Sequence, residues 1–557
     1  MIVILKYNQY TKLKFKFDKI KQKLKIIESD RAEWHQLKLH LTRYVKNYKF
    51  QPRFKLGVWD GKISHFKDGE IDMGLWKEAY KLCKINNWKF EIENKEDFPI
   101  NKNITRDDVL NFCIEFFKDR KLKNGENFFP YDHQIDSAFK ILKNRYCLAE
   151  VATGGGKSLI FAIICFYILK NINKNAKFLL IVPNISLVTQ FYDDITDYNN
   201  GFLNDNKTPL NIKMCEIMSD NPRKDEGICN IFIGTIQSLE KRDQKFFNQF
   251  HVVTTDESHK CGSKNNGGKK SNGLKQVEKV LKKTIGVASM RFGMSGTFPD
   301  EDSLDFLTIQ SLHGPKITEV AAKELMKKGV ISNVKIKSIL LNHNDVKFNN
   351  DLKLIKRGGN AKAVYDLEKQ YVQNSKYRMD FIFNKIISNI EKNTLILFHI
   401  KEYGKKIYER IRNDLKNIDV YYIDGDTKKE KRNIIKKKMD SVGKRSKIGK
   451  LLKDPSIKDN PKILVASFGT LSTGVSIRDV HHLLFMESFK SEQIIIQSVG
   501  RILRLHKNKD IAIVFDFVDI FDDNTRSKNI LYNHYIERKK FYSKREYPYK
   551  EIKINLK

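Results

Sequence analysis

Seven cysteines are spread through 557 residues, and no two stand in a Cys-x-x-Cys pair. Scattered in this way they suggest neither a disulfide framework nor a zinc site, and the chain reads as reduced and intracellular. His481 and His482 also lack metal-ligand spacing and fit the entrance of a strand. Long apolar runs are missing. The longest, Leu159 to Leu169, is far below the roughly 20 residues that cross a membrane, so no membrane partner is expected. The start carries no secretory leader pattern, because Met1-Ile2-Val3-Ile4-Leu5 meets Lys6 and a lysine-rich tract at once. A soluble, cytoplasmic protein is the expectation. Acidic charge is scarce: 67 Asp and Glu stand against 103 Lys and Arg, a net charge of +36. That excess favours a polyanionic partner, nucleic acid before any other.

What is present begins with Ala152-Thr153-Gly154-Gly155-Gly156-Lys157-Ser158, which follows the apolar run Tyr146 to Val151 and opens a long apolar helix. Strand, glycine turn and helix in that order make a phosphate-gripping loop. The glycines let several N–H groups of residues 153–156 point at one anion, Lys157 serves the β- and γ-phosphates, and Ser158 offers a hydroxyl to Mg²⁺. Val151 stands where the general pattern has its first glycine. ATP and Mg²⁺ are therefore the expected cofactors.

Such a loop needs a metal-holding carboxylate at the end of a neighbouring strand, and Asp256-Glu257-Ser258-His259 supplies one after Phe250-His251-Val252-Val253. Asp256 would hold Mg²⁺ through water and Glu257 would polarise the attacking water. Further on, Gln497-Ser498-Val499-Gly500-Arg501-Ile502-Leu503-Arg504 places two arginines three apart, on one face of a helix, as planar forks for a γ-phosphate.

Between these sites lie Pro183 to Gln190, Gly234-Thr235-Ile236-Gln237-Ser238 and Ser295-Gly296-Thr297, each after an apolar run. Together the segments resemble a superfamily 2 helicase of the DExH class. The resemblance implies that Pro183, Gln190 and Thr235 touch the nucleic-acid backbone. It also implies that His259, Ser295 and Thr297 couple hydrolysis to strand movement, and that Tyr131 and Gln134 read adenine. Ile396 to Gly404 and Ala466 to Ser476 look like segments of a second motor domain, with Ser472, Thr473 and Gly474 on the strand and Gln497 at the nucleotide. Ser476 stands where many relatives carry Asp.

Periodicity and breakers then divide the chain. Residues 1–125 read as a small α+β nucleic-acid-binding domain, 126–325 and 326–522 as two RecA-like doubly wound parallel-sheet domains, and 523–557 as a basic helical tail. Gln51 to Lys62 mixes aromatic and basic residues with turn glycines. Arg53 and Trp59 are its candidate nucleic-acid contacts, the alternative being that Trp59 and Phe54 are buried in a core. Cys261 to Gly273 reads as a surface loop and Lys428 to Lys462 as a lysine-dense insertion.

The element Pro52-Arg53-Phe54 to Gly57, with Trp59-Asp60-Gly61, narrows the resemblance to the UvsW-type helicases of T-even-like bacteriophages. That likeness implies ATP-dependent action on branched DNA: branch migration of junctions, fork regression and R-loop unwinding, in the host cytoplasm if a phage encodes it. DNA, and with it DNA–RNA hybrid, is the implied partner, and no obligate protein partner is evident. A restriction-type translocase, a DExH RNA helicase and a non-enzymatic clamp share parts of the pattern.

Overall fold

In the N-terminal part, alternation of buried and exposed residues produces strands β1 (Lys12–Asp18) and β2 (Lys23–Glu28). They are followed by β3 (Thr42–Tyr44), β4 (Lys62–Ser64), β5 (Phe66–Lys67), β6 (Glu70–Asp72) and β7 (Lys89–Ile92). The computed structural model describes residues 12–118, 120–122, 125–201, 209–218, 228–261, 272–440, 461–472, 477, 479–505, 509, 511–521 and 529–556. A five-stranded sheet runs β5-β6-β2-β1-β7, while β3 and β4 pair separately. Leu13, Phe15, Leu24 and Ile71 fill one face together with helix residues Leu37, Ala79 and Leu82.

This core does not close on itself. It continues into Tyr146 and Leu307 of the following α/β sheet. Gln22 Nε2 donates to the Tyr146 hydroxyl at 2.7 Å, and a Cβ on Gly74 would lie 2.0 Å from the Gln310 carbonyl. Helix Arg106–Phe117, expected within the N-terminal domain, packs instead on the α/β part: Phe116 meets Phe166 at 5.1 Å and Phe112 meets Tyr167 at 5.5 Å. Its apolar face has no other core to enter.

The next strands are β8 (Tyr146–Val151), β9 (Phe178–Val182), β10 (Met214–Ile217), β11 (Ile231–Thr235), β12 (Val252–Asp256), β13 (Met290–Ser295) and β14 (Lys316–Val320). They form one sheet in the order β10-β11-β9-β12-β13-β8-β14, parallel throughout. Parallel strands need crossovers that cover both faces, so the interior strands β8, β9, β11, β12 and β13 are buried without alternation. Helix Lys157–Asn171 is one such crossover, buried continuously from Leu159 to Leu169.

A second parallel sheet is built from β15 (Asn333–His343), β16 (Thr394–Phe398), β17 (Asp419–Ile423), β18 (Lys462–Ser467), β19 (His482–Phe485), β20 (Ile511–Ile520) and β21 (Tyr549–Leu556). Their order is β17-β18-β16-β19-β20-β15-β21. The expected helical tail is corrected here. Helix Ile530–Lys544 forms, but Tyr549–Leu556 is the edge strand of this sheet, paired with β15 from Ile336↔Tyr549 to His343↔Leu556. Three helices between β15 and β16, Val346–Arg357, Ala361–Asn374 and Lys376–Lys385, also lie outside the sequence reading. Helix Lys429–Asp440 opens the lysine-dense insertion, and residues 441–460 of it lie outside the described residues, as do 262–271 of the expected surface loop. The chain clusters into two units, residues 1–152 with 156–320 and residues 153–155 with 321–557.

Candidate functional site

Along the first parallel sheet, the motif residues gather because parallel strands all end on one side. The phosphate loop follows β8, Asp256 ends β12, Ser295 ends β13, Thr235 ends β11, and Pro183 follows β9. This is the carboxyl edge where open α/β sheets bind ligands. Gly154 and Gly156 take φ of +89° and +84°, conformations that side chains avoid, and Gly156 is the cap from which helix Lys157–Asn171 starts. A Cβ at Gly156 would also sit 2.1 Å from Gln134 Nε2. Gln134 is itself buried, with its Oε1 accepting the Tyr131 N–H at 2.9 Å; the Tyr131 ring is half-exposed and stacks on His133.

β13 lies between β12 and β8, so the acidic pair is two strands from the loop, roughly 10 Å across the sheet. The Lys157 side chain spans that gap. Its Nζ stands 3.9 Å from Asp256 Oδ1 and 3.9 Å from Glu257 Oε1. Glu257 adopts φ +53°, a left-handed bend rare for a side-chain-bearing residue, and consecutive carboxylates thereby both approach one ammonium. Burial raises the pKa of Asp256 above the ordinary aspartate value, against the pull of Lys157. Burial acts the same way on Glu257, but the Lys157 charge and the His259 contact together overcome it and hold this carboxyl well below its usual range. Asp256 Oδ1 is buried and has no hydrogen-bond partner among the described residues. An orphaned, buried carboxylate oxygen suits a hard cation that keeps most of its own water and takes phosphate oxygens. The Ser158 hydroxyl lies 3.3 Å from that of Tyr198.

The coupling residues form one connected line. Glu257 Oε2 is 3.2 Å from His259 Nδ1, which is 2.8 Å from Ser295 Oγ. Ser295 Oγ donates to the Thr297 carbonyl at 2.6 Å and accepts the Thr297 N–H at 3.2 Å. His259, Ser295 and Thr297 are all buried, so the line is shielded from solvent.

Other expected residues are placed differently. Thr235 is buried and caps helix Ile236–Glu240, its hydroxyl donating to Ser238 Oγ at 3.0 Å; it positions that turn, and the exposed residue there is Gln237. Pro183 and Gln190 are half-exposed. Arg53 is exposed in the short helix Pro52–Lys55. Trp59 is half-buried with its indole N–H donated to the Lys62 carbonyl at 2.9 Å, so it braces a turn. In the second unit, Gln497 and Arg501 lie on helix Glu492–Ile502, Arg501 in its last turn, and Arg504 follows, its carbonyl accepting from Ser332 Oγ at 3.2 Å. Ser472 ends helix Phe468–Ser472, while Thr473, Gly474 and Ser476 lie outside the described residues.

Thr255, Ser258 and His313 are functional neighbours that the sequence reading missed. Thr255 Oγ1 is 2.6 Å from Ser258 Oγ and 2.7 Å from His313 Nε2, a buried polar cluster directly under the acidic pair. Burial, with Arg291 nearby, drives His313 down to about 3 and keeps it neutral. Its Nδ1 lies 3.1 Å from the Ile309 carbonyl, which assigns the proton to Nδ1 and leaves Nε2 to accept from Thr255. The available signal was the threonine pair that interrupts an otherwise apolar strand.

The chain is similar to known proteins over most of its length. The family described as "Type III restriction enzyme, res subunit" matches residues 126–300, and "DNA helicase UvsW, N-terminal" matches residues 12–93. The ATP-dependent DNA helicase uvsW of Enterobacteria phage T4 is 28% identical over 548 residues, spanning 95% of this chain and 97% of that protein. Putative helicase 161L of Invertebrate iridescent virus 6 is 25% identical over 412 residues, 72% of this chain and 77% of that protein. Among solved structures, T4 UvsW covers 98% of this chain and 100% of its own at 25% identity and a TM-score of 0.45. The Type ISP restriction-modification enzyme LlaBIII bound to DNA covers 76% of this chain and 31% of its own at 14% identity and a TM-score of 0.55, a likeness of fold.

Proposed function

We propose that this chain, which belongs to the superfamily 2 helicases and is of UvsW type, is an ATP-dependent DNA helicase and translocase acting on branched DNA. The observation that carries this reading is the unbroken line from Lys157 through Glu257 and His259 to Ser295 and Thr297. It joins a phosphate-binding end to a turn at the sheet's carboxyl edge, as conversion of hydrolysis into movement requires.

Lys157 and the N–H groups of the glycine loop would hold the β- and γ-phosphates of ATP. Ser158 and Asp256 would hold Mg²⁺, which neutralises charge on the phosphate oxygens when bound. Glu257, ionised by its neighbours, accepts a hydrogen bond from the attacking water and orients it. Tyr131 and Gln134 would receive the adenine, with Gln497 a further nucleotide contact. Arg501 and Arg504 would act on charge that develops in the transition state. Phosphate contacts near Pro183, Gln190, Gln237 and residues 472–474 give grip without sequence preference. Discrimination of branches then falls to the N-terminal part, whose family match is of UvsW type, or to the basic insertions. Junction migration, fork regression and R-loop unwinding are the processes this would serve, in the host cytoplasm if the chain is phage-encoded like its T4 relative.

A restriction-type translocase is the second reading, favoured by the profile match over 126–300. ATP hydrolysis and strand displacement measured with single-stranded, blunt duplex, forked and four-way DNA, and with RNA, separate the two. Preference for forks and junctions is expected. Equal stimulation by blunt duplex without displacement would favour the translocase, and stimulation by RNA alone would overturn both.

A further inference from the structure

Residues 45–61 leave the body of the N-terminal part between the paired strands β3 and β4 as an aromatic knob. Its inside is firmly built. Tyr48 stacks on Tyr44 at 4.5 Å and 22° and meets the edge of Phe54 at 4.8 Å. Gly61, at φ +81°, lies so close to the Tyr48 ring that a Cβ would stand 2.3 Å away. The 3₁₀ turn Tyr48–Phe50 and the helix Pro52–Lys55 complete it, with the Trp59 brace at its base.

Its outside is unusual for a surface. Phe50, Leu56 and Val58 are 77%, 76% and 69% exposed. Around them stand Lys46, Lys49, Arg53, Lys55 and Lys62, against the single acid Asp60, whose Oδ1 accepts the Lys62 N–H. Among the described residues, none of these five cations forms an ion pair within 4.0 Å. An apolar protein partner would leave five charges buried without partners, and a regular duplex backbone would leave the apolar tips in water. An unpaired nucleobase satisfies both demands, since its flat face takes apolar contact while its phosphates take the cations.

The knob is also bolted to the motor. Arg43, beside Tyr44, donates from Nε to the Asp302 carbonyl at 3.1 Å, and His65, just beyond β4, is 3.1 Å from Thr308 Oγ1. Asp302 follows the Ser295-Gly296-Thr297 turn by a short loop.

We propose that the knob is a branch-point wedge: Phe50, Leu56 and Val58 receive the unpaired bases beside a DNA fork, and the surrounding cations receive the adjoining phosphates. This rests on the helicase reading above, but its test needs no hydrolysis. The full chain, without nucleotide, is titrated with a fork and a blunt duplex of equal length at one salt concentration. The fork carries 2-aminopurine at its first unpaired position. The triple variant Phe50→Ser, Leu56→Ser, Val58→Ser changes exposed side chains only and is expected to lower the fork-to-duplex affinity ratio about tenfold, the size of one base–aromatic stack. It should also abolish the 2-aminopurine response, while Phe50→Trp retains both. An unchanged ratio in the triple variant, or no 2-aminopurine response with the unmodified protein, overturns the wedge. A protein that stacks the base but displaces no strand with ATP overturns the helicase reading and leaves the wedge standing.

Discussion

Asp256 and Asp516 are both buried aspartates in a parallel sheet, 6% and 1% exposed, and they are treated in opposite ways. Asp516, on β20, receives Arg538 as a fork, Nε to Oδ2 at 3.0 Å and Nη2 to Oδ1 at 2.9 Å, with the Tyr542 hydroxyl adding a third bond at 2.9 Å. Arg538 spends its remaining donors on Ser488 Oγ and the Phe489 carbonyl. Asp256 has a lysine at 3.9 Å and an oxygen with no hydrogen-bond partner among the described residues. A buried charge that is fully bonded has nothing left to give a ligand; one that is half-bonded is costly in the empty protein and available for chemistry. The first pair is closed within the fold, and the second leaves one carboxylate oxygen without a hydrogen bond among the described residues.

The largest effect that tests this contrast is Lys157→Ala. Removing the ammonium should lower ATP turnover at least 10³-fold while DNA binding stays near that of the parent, because the basic surface and not Lys157 serves DNA. A steady-state ATPase assay beside a DNA titration checks it, and retained turnover would refute the phosphate-loop assignment. Next, Asp516→Asn leaves Arg538 buried and poorly compensated and should cost about 3–5 kcal/mol of stability. Urea unfolding reports this, and a loss under 1 kcal/mol would mean that Asp516 matters no more than Asp256 does.

Glu257→Gln keeps shape but loses the acceptor for water, so turnover should fall on the order of 10²-fold with ATP affinity preserved. If affinity collapses and turnover survives, Glu257 binds the nucleotide instead of orienting water. Arg504→Ala, and to a lesser degree Arg501→Ala, should slow hydrolysis at least tenfold with little change in nucleotide affinity, as expected of a group acting on transition-state charge. Equal losses in both would place the arginines in ground-state binding.

The smallest effect has the opposite sign to that at Asp516. Since folding raises the pKa of Asp256, ionising it costs stability at neutral pH, and the cost is relieved as pH falls toward the ordinary aspartate value of 3.8. Asp256→Asn should therefore stabilise the empty protein on the order of 1 kcal/mol at pH 7, with the gain shrinking on acidification, while turnover is lost. Thermal unfolding at several pH values checks it, and a destabilised Asn variant would show that Asp256 is as well paired as Asp516.

Chain order and local chemistry were enough to read the strand, glycine turn and helix of residues 146–171 and the strand ends that carry the candidate residues. A glycine turn between a buried strand and an apolar helix admits few other folds, and Asp256, Glu257, Ser295 and Thr297 each follow an apolar run short enough to be a strand. The second sheet was legible from its interior strands for the same reason. Its edge was not: Tyr549 to Leu556 alternates charged and apolar residues, as an edge strand with one covered face does, and close to a basic helix that pattern reads as more helix. That Thr235 caps its own turn and Trp59 braces one was not legible, because type and spacing do not reveal whether a side chain faces solvent or its own turn.

The sequence by itself determined the interior strands, the glycine turn after β8 and the carboxylates that close β12, because backbone propensity, glycine conformations and charge are local properties. Only the tertiary structure decided which of them act together. The placing of β13 between β12 and β8 brings Lys157 to the acidic pair and Ser295 to His259. It also puts Thr255 on His313 and fastens Arg43 to Asp302 across 259 residues of chain. Strand order is set by how the buried faces of distant segments pack, and no local stretch of sequence records it.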